Sequence, residues 1–473
     1  MTGNRPAADA RHVLVVGAGF AGLSTVKGLT KAGFRVTLMD HNLYSTFQPL
    51  LYQVATGGIN PGDVTYVVGG FTRKYGARYC RGEMTTIDPD ARRIGLADGR
   101  EISYDYLIIA TGVSASHYGI KGAAEYTYGL YTRHDAVTLR DRFMADIARL
   151  SAGPREAELA ITMVGGGATG VELAGTLAEL RNVVLRETFP DIDPERVHVR
   201  VVEMLPELLT PFDPKLRGYT REQLVTRGVD VRTDSSIKEV TPDRVMLEDG
   251  TDLRSDITVW TAGVAAPPES KEWGLPQGKA GRILTGPDLR VKGQDRIFAA
   301  GDIALVEDHP TPQLSQPALQ MGRHAAVQIA RMEAGQETRP FVYHDKGTAA
   351  TIGRHAAVIQ LAKGPHLKGT LAWLGWLVLH LFYLLGGRNR VSALVNLSWR
   401  YLAWGHGGTV IVGDDPPYVG PGYPEPAASR PGQSAASRPG QSAASRPGQP
   451  AASRPGQPAT SQAGEPQPVY DEA

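Results

Sequence analysis

The chain has 473 residues, with 50 Lys and Arg against 49 Asp and Glu and a formal net charge of +1. That length allows two or three domains with large cores, and so even a charge balance gives no global field to recruit nucleic acid. The single cysteine, Cys80, excludes an internal disulfide, a Cys-x-x-Cys redox pair and a cluster ligated by this chain's cysteines alone, and no His/Cys grouping has zinc-like spacing.

Met1–Arg11 contains no apolar signal-peptide core, so the chain is expected to stay on the cytoplasmic side. The apolar run from His12 to Val16 reads as a buried strand. It leads into Gly17-Ala18-Gly19-Phe20-Ala21-Gly22, a G-x-G-x-x-G turn opening a helix that ends near Ala32-Gly33. In such a turn Gly17 permits the sharp bend, Gly19 admits a pyrophosphate against the backbone, and Gly22 brings helix and sheet together. The helix N-terminus offers unpaired N–H groups to the phosphates. A second strand, Arg35–Met39, ends at Asp40, about 20 residues on, where an acid can accept from ribose hydroxyls. Tyr104–Ala110 reads as a buried strand turning at Thr111-Gly112.

The same plan then repeats. The strand-like run Leu159–Val164 meets Gly165-Gly166-Gly167-Ala168-Thr169-Gly170, and the strand Val197–Val202 ends at Glu203 after a longer gap. An acid at Glu203 favours a free 2′-hydroxyl and repels a 2′-phosphate, so NADH is expected over NADPH. Ile257–Trp260 closes the unit at Thr261-Ala262-Gly263. Glu172 falls in the second fingerprint's helix, in its first turn, where the dipole favours an ionised carboxylate. Two such units in one chain imply two dinucleotides and electron transfer between them.

From Gly281 the chain is expected to return to the first unit, through Arg296–Ala300 and the turn Gly301-Asp302, which faces Asp302 into the cofactor groove. A helix starting at Pro317 follows, Pro being suited to a first helical position. Gln316 and Gln320 are four apart and share a face. Leu371–Leu385 is almost wholly apolar, and as a helix it would be about 22 Å long at 1.5 Å per residue, short for a hydrocarbon core of about 30 Å. With Val391–Trp404 it reads as a helix pair lying in the membrane surface, Trp373, Trp376, Leu377, Phe382 and Tyr383 giving apolar contact and Arg388, Arg390 and Arg400 attracting anionic lipid. From about Gly413 an eight-residue Ala-Ala-Ser-Arg-Pro-Gly-Gln-x repeat takes over, a composition expected to be disordered.

Several blocks are more specific: Phe47-Gln48-Pro49-Leu50-Leu51-Tyr52-Gln53, Thr169-Gly170-Val171-Glu172-Leu173-Ala174-Gly175, Ser315-Gln316-Pro317-Ala318-Leu319-Gln320, Tyr343-His344-Asp345-Lys346-Gly347 and Ile352-Gly353-Arg354. With the C-terminal helices they make residues 10–405 resemble the type II NADH dehydrogenases, the single-chain NADH:quinone oxidoreductases that do not pump protons, actinobacterial members most of all. The resemblance implies an α/β protein with two Rossmann-like dinucleotide-binding domains, the two-dinucleotide-domain flavoprotein reductase fold, plus amphipathic membrane-anchoring helices. The FAD-binding domain would comprise 10–115 and 271–345, the NADH-binding domain 116–270, the membrane-associating region 346–412 and the tail 413–473. FAD would be held by Gly17, Gly19, Gly22, Asp40, Thr111, Gly112, Gly301 and Asp302, and NADH by Gly165, Gly167, Gly170, Glu203 and Gly263. Gln316 and Gln320 would line the quinone site. Glu172 would lie where nicotinamide meets flavin, whether steering the ring or relaying charge. The acceptor expected is a membrane quinone, menaquinone first, with homodimerisation left open. Sulfide:quinone oxidoreductases share this fold but need at least two active-site thiols, which Cys80 alone does not supply.

Overall fold

The computed structural model describes residues 9–307 and 309–402. In the first unit β1 (His12–Val16), α1 (Phe20–Lys31) and β2 (Arg35–Asp40) form the opening βαβ. The Pro-Leu-Leu-Tyr block makes a short turn and α2 (Leu51–Ala55), and α3 (Val68–Tyr75) leads to β3 (Arg78–Arg81). With β4 (Tyr106–Ile109) the strands lie in the order β4-β1-β2-β3, all parallel. Their unbroken Val/Ile/Leu runs suit a sheet covered on both faces: Val13, Leu14, Val15, Leu107, Ile108 and Ile109 are fully buried.

The second unit repeats the scheme after α4 (Arg133–Ala152), whose Thr132–Asp135 capping box sets its start. It has β5 (Leu159–Val164), α5 (Ala168–Glu179), β6 (Val197–Val202), β7 (Val229–Arg232) and β8 (Ile257–Trp260), in the parallel order β7-β6-β5-β8. The duplication reaches individual hydrogen bonds. His12 N–H donates to the Asp105 carboxylate at 2.7 Å, and Ala160 N–H donates to that of Asp256 at 2.8 Å, each acid standing just before its unit's closing strand. The segments beyond the two closing strands pair with each other, Ser114 opposite Ala265.

The chain then returns: β9 (Ile297–Ala299) adds in parallel to the free edge of β4, Phe298 opposite Ile108. The helix α6 (Ser315–Glu333) packs along α1. It begins two residues before Pro317, with Leu314 as an extended cap residue. Pro317 occupies the third position, which it tolerates because the first four N–H groups of any helix lack intrahelical partners.

An antiparallel sheet of β10 (Thr348–Gly353), β11 (Ala356–Gln360) and β12 (His366–Lys368) precedes α7 (Thr370–Tyr383) and α8 (Gly387–Leu402). These two helices have two apolar faces. Ala372, Trp373, Trp376, Leu384, Ala393, Leu397 and Tyr401 are buried against the second unit and α2, whereas Leu371, Leu374, Val378, Leu379, Phe382, Val391, Leu394, Val395 and Trp399 are exposed. This corrects the expected assignment of side chains. Trp373 and Trp376 belong to the core, and Arg400 turns inward to donate to Gln53 Oε1 at 2.7 Å. No helix among the described residues is long and apolar enough to cross a membrane. The expected disordered tail from 413 onward, and residue 404 within the second amphipathic stretch, lie outside the described residues.

Candidate active site

In both parallel sheets strand order reverses beside the first strand, and the crevice at the strands' carboxyl ends is where such sheets hold ligands. Gly17 leaves β1 with φ of +106°, and a Cβ there would lie 2.2 Å from the Ala110 carbonyl oxygen; a Cβ on Gly22 would lie 1.8 Å from that of Gly17. Protein packing therefore requires both glycines. Gly19, between them, has an ordinary extended backbone, and a Cβ there would meet nothing within 4 Å. The protein itself does not need a glycine at position 19, so the space it keeps open fits a ligand. The second unit matches closely: Gly165 (φ +111°) backs onto Ala262, a Cβ on Gly170 would lie 2.0 Å from the Gly165 oxygen, and Gly167 faces open space.

The strand-end acids are also twins. Asp40 accepts from Ala18 N–H and Asn42 N–H, both at 2.7 Å. Glu203 accepts from Gly166 N–H at 2.5 Å and Leu205 N–H at 2.8 Å. Each carboxylate is aimed at its glycine turn and, with about four lone-pair sites, keeps capacity for ribose hydroxyls. Glu203→Gln is expected to narrow the preference for NADH over NADPH roughly tenfold in kcat/KM, about 1.4 kcal/mol, by removing repulsion of a 2′-phosphate. Unchanged discrimination would show that Glu203 does not read the ribose.

At the end of β4, Gly112 has φ of +73°, and the buried hydroxyl of Thr111 has no hydrogen-bond partner among the described residues. An orphaned buried hydroxyl in this crevice is a second feature that fits a bound cofactor. Beyond β9, Gly301 has φ of +82° and its N–H points to Met321 Sδ at 3.3 Å. Burial pushes the Asp302 carboxyl up to about 6, opposed by the Arg282 guanidinium. In the second unit Gly263, with φ of +69°, lies against the Tyr118 ring, where a Cβ would come within 2.0 Å of the hydroxyl.

Glu172 differs from its expected state. It is the fifth residue of α5, past the first turn, and its buried side chain reaches away from the fingerprint. Thr351 N–H and Trp376 Nε1–H both donate to Glu172 Oε1 at 3.2 Å. Desolvation outweighs these two bonds and any dipole contribution and pushes the carboxyl up to about 8, so it is mostly protonated at neutral pH. Both donors use Oε1, which leaves Oε2 to carry the proton. Tyr52 of α2 packs edge-on against Trp376, ring centres 6.0 Å apart, and the His380 ring stacks on Trp376 at 3.8 Å. Burial pushes His380 down to about 4, so that ring is neutral. No sequence pattern announced Trp376 as Glu172's partner; the only trace was the i, i+4 pair Trp376 and His380 in an apolar run.

Gln320 is tied to the backbone of His344, donating from Nε2 to its oxygen and accepting at Oε1 from its N–H, both at 3.0 Å. The Gln316 side chain makes no hydrogen bond among the described residues. Thus the two amides share a helix but not an environment, and no hydrogen bond joins either to Glu172.

Residues 11–322 match the pyridine nucleotide-disulphide oxidoreductase family model. A type II NADH:quinone oxidoreductase of Mycobacterium tuberculosis is 36% identical over 85% of this chain and 88% of its own length. One from Staphylococcus haemolyticus is 30% identical over 74% of this chain and 90% of its own. The structure of NDH2 from Plasmodium falciparum in complex with NADH superposes with a TM-score of 0.78 at 20% identity, over 84% of this chain and 99% of that one. A sulfide:quinone oxidoreductase from Aquifex aeolicus shares the fold too, with a TM-score of 0.68 at 17% identity, over 82% of this chain and 93% of that one. With its duplicated cradles and the sequence match over most of its length, the chain belongs to the type II NADH:quinone oxidoreductases.

Proposed function

We propose that the family reaction, NADH oxidation with reduction of a quinone and no proton pumping, is carried out here between the two glycine cradles and the inner face of α7. Residues 10–115 and 271–345 would form the FAD domain and 116–270 the NADH domain. FAD, when bound, supplies the redox group that takes hydride from NADH and returns two electrons to the quinone. Gly19 and Gly167 leave room for the two pyrophosphates, Asp40 and Glu203 hold the riboses, and Thr111, Gly112, Gly263, Gly301 and Asp302 line the remaining contacts. Gln316, with its uncommitted amide, hydrogen-bonds a quinone carbonyl. Gln320 acts through His344, bracing the segment that borders the same site.

Glu172 is assigned the proton store for quinone reduction, since a reduced quinone needs protons at its oxygens. The observation that carries this reading is the bond from Trp376 to Glu172: the helix that presents an apolar face outward also holds the buried acid. The exposed side chains of α7 and α8 are assigned to the cytoplasmic surface of an anionic membrane rather than to a second copy of the chain, and menaquinone, long-tailed and apolar, is the expected acceptor.

The test is the pH dependence of quinone reduction. Glu172 is protonated below about 8, so the rate should hold through neutrality and fall as pH rises through that value. Glu172→Gln should lower kcat with a menaquinone analogue about 100-fold, the lower end of the usual contribution of a positioned acid, and abolish the alkaline limb. Trp376→Phe removes a bond that favours the ionised form, so the limb should move to higher pH. Identical pH profiles in all three proteins would remove Glu172 from proton delivery.

A further inference from the structure

At one edge of the first unit α3 and α6 pack on α1, and α8 comes to the same edge where Asn389 donates to the Thr65 oxygen just before α3; the four helices are nearly free of acids. Of α1, α3, α6 and α8, only α6 contains one, Glu333 at its far end, and that is engaged by Arg11 and the Tyr106 hydroxyl. Each helix contributes an exposed cation to this edge: Lys27, Lys74, Arg323 and Arg390. Lys27 Nζ lies 5.5 Å from the ring centres of both Phe71 and Tyr75, and Lys74 Nζ lies 5.6 Å from that of Tyr75, so one aromatic ring brings two ammonium groups together. Arg390 is steadied by donating from Nε to the Leu384 oxygen at 2.7 Å. None of the four is in an ion pair among the described residues. The Lys27 ammonium is held below its ordinary range by partial burial of its tip and then by Arg323, Lys74 and Arg390, as expected where cations crowd without an anion.

Like charges from four separate elements repel, and a chain of net charge +1 has no general excess of them to place. Leu394, one turn on from Arg390 and 51% exposed, belongs to the outward apolar row of α8. Val67, 65% exposed, lies just before α3, and the neighbouring Thr65 oxygen accepts from Asn389 of α8 at 2.6 Å. The basic cluster is therefore continuous with the face assigned to the bilayer.

We propose that Lys27, Lys74, Arg323 and Arg390 form a discrete site for the phosphate of an anionic phospholipid at the rim of the membrane-facing helices. The proposal rests on the bilayer reading of α7 and α8 and adds a defined headgroup contact to it. The site takes phosphate because its donors are ammonium and guanidinium groups with no competing carboxylate. It takes a lipid because its open side joins an apolar surface rather than bulk solvent. Seated there, a lipid fixes the azimuth of the protein on the membrane, which attachment through apolar side chains alone leaves free.

The experiment uses the full chain and vesicles of phosphatidylcholine alone or mixed with phosphatidylglycerol. The native protein should bind both and prefer the anionic ones. Lys27→Gln/Arg323→Gln should bind neutral vesicles as before, keep its flavin, and lose roughly 30-fold in affinity for anionic vesicles, which is ~2 kcal/mol at 1.4 kcal/mol per decade, from about 1 kcal/mol per cation. Lys31→Gln/Arg331→Gln removes equal charge from the same two helices outside the cluster and should lose much less. Equal losses in the two double variants would overturn the site in favour of diffuse attraction. Millimolar inorganic phosphate that erases the preference would overturn the lipid assignment and give the site to a soluble phosphate. Failure of the native protein to bind either vesicle would instead sink the bilayer reading beneath it.

Discussion

Gly19→Val should give a folded protein depleted of flavin, and Gly167→Val a yellow one that NADH bleaches only at much higher concentration. The prediction follows from which glycines the protein itself requires. Gly19 and Gly167 have φ of −80° and −71° in extended conformations open to any residue, and a Cβ at either finds no atom within 4 Å. Valine there leaves the apoprotein intact. It meets only the incoming pyrophosphate, and overpacking of that kind costs about 1–3 kcal/mol or more, a loss of roughly 5- to 150-fold or more in affinity per site. Gly22→Ala is the control of opposite kind. Its methyl would lie 1.8 Å from the Gly17 oxygen, so the turn itself must move and the apoprotein should lose stability. Flavin content by absorbance, bleaching by NADH and thermal melting separate the three. Normal flavin in Gly19→Val, or normal bleaching in Gly167→Val, would break the assignment of the corresponding cradle.

The fold was legible because its signals are local. A glycine fingerprint is six residues long, and its strand and strand-end acid lie close by in sequence, so two copies in one chain define the class. What escaped depends on residues far apart. Glu172 at a helix start reads as an ionised acid, yet burial that the helix sequence does not reveal keeps it protonated, against donors from Thr351 and Trp376, 179 and 204 positions away. Gln320 reads as half of an exposed pair until His344 is seen closing on it. The apolar run of α7 has no polar stripe, so the sequence shows that it avoids water without showing which side meets protein and which remains open. Trp373 and Trp376, the natural choices for interfacial anchors, point inward.

That inward packing decides the result of truncation. A chain ending near residue 365 should not be a soluble, FAD-loaded form released from the membrane; it should fail to fold stably. Ala372, Trp373, Trp376, Leu384, Ala393, Leu397 and Tyr401 complete the core of the second unit, and Trp376 holds Glu172. Truncating a buried Trp costs about 3–5 kcal/mol, and two such losses approach the whole stability of a typical protein, about 5–15 kcal/mol. Release should instead come from the outward face. Leu374, Val378, Phe382 and Val395 are 47%, 68%, 66% and 59% exposed, so changing all four to Gln leaves the core untouched. Each large apolar side chain transferred out of water contributes about 1.5–3 kcal/mol, so the quadruple variant should bind vesicles at least about 10,000-fold more weakly. Its melting temperature and flavin content should match the parent. It should reduce a water-soluble quinone normally and a long-chain menaquinone slowly, because only the latter arrives through the bilayer. If the quadruple variant still sediments with vesicles like the parent, the bilayer contact lies elsewhere. If the truncated chain is soluble, yellow and as heat-stable as the parent, α7 and α8 are appendages, and α7 is not what buries Glu172.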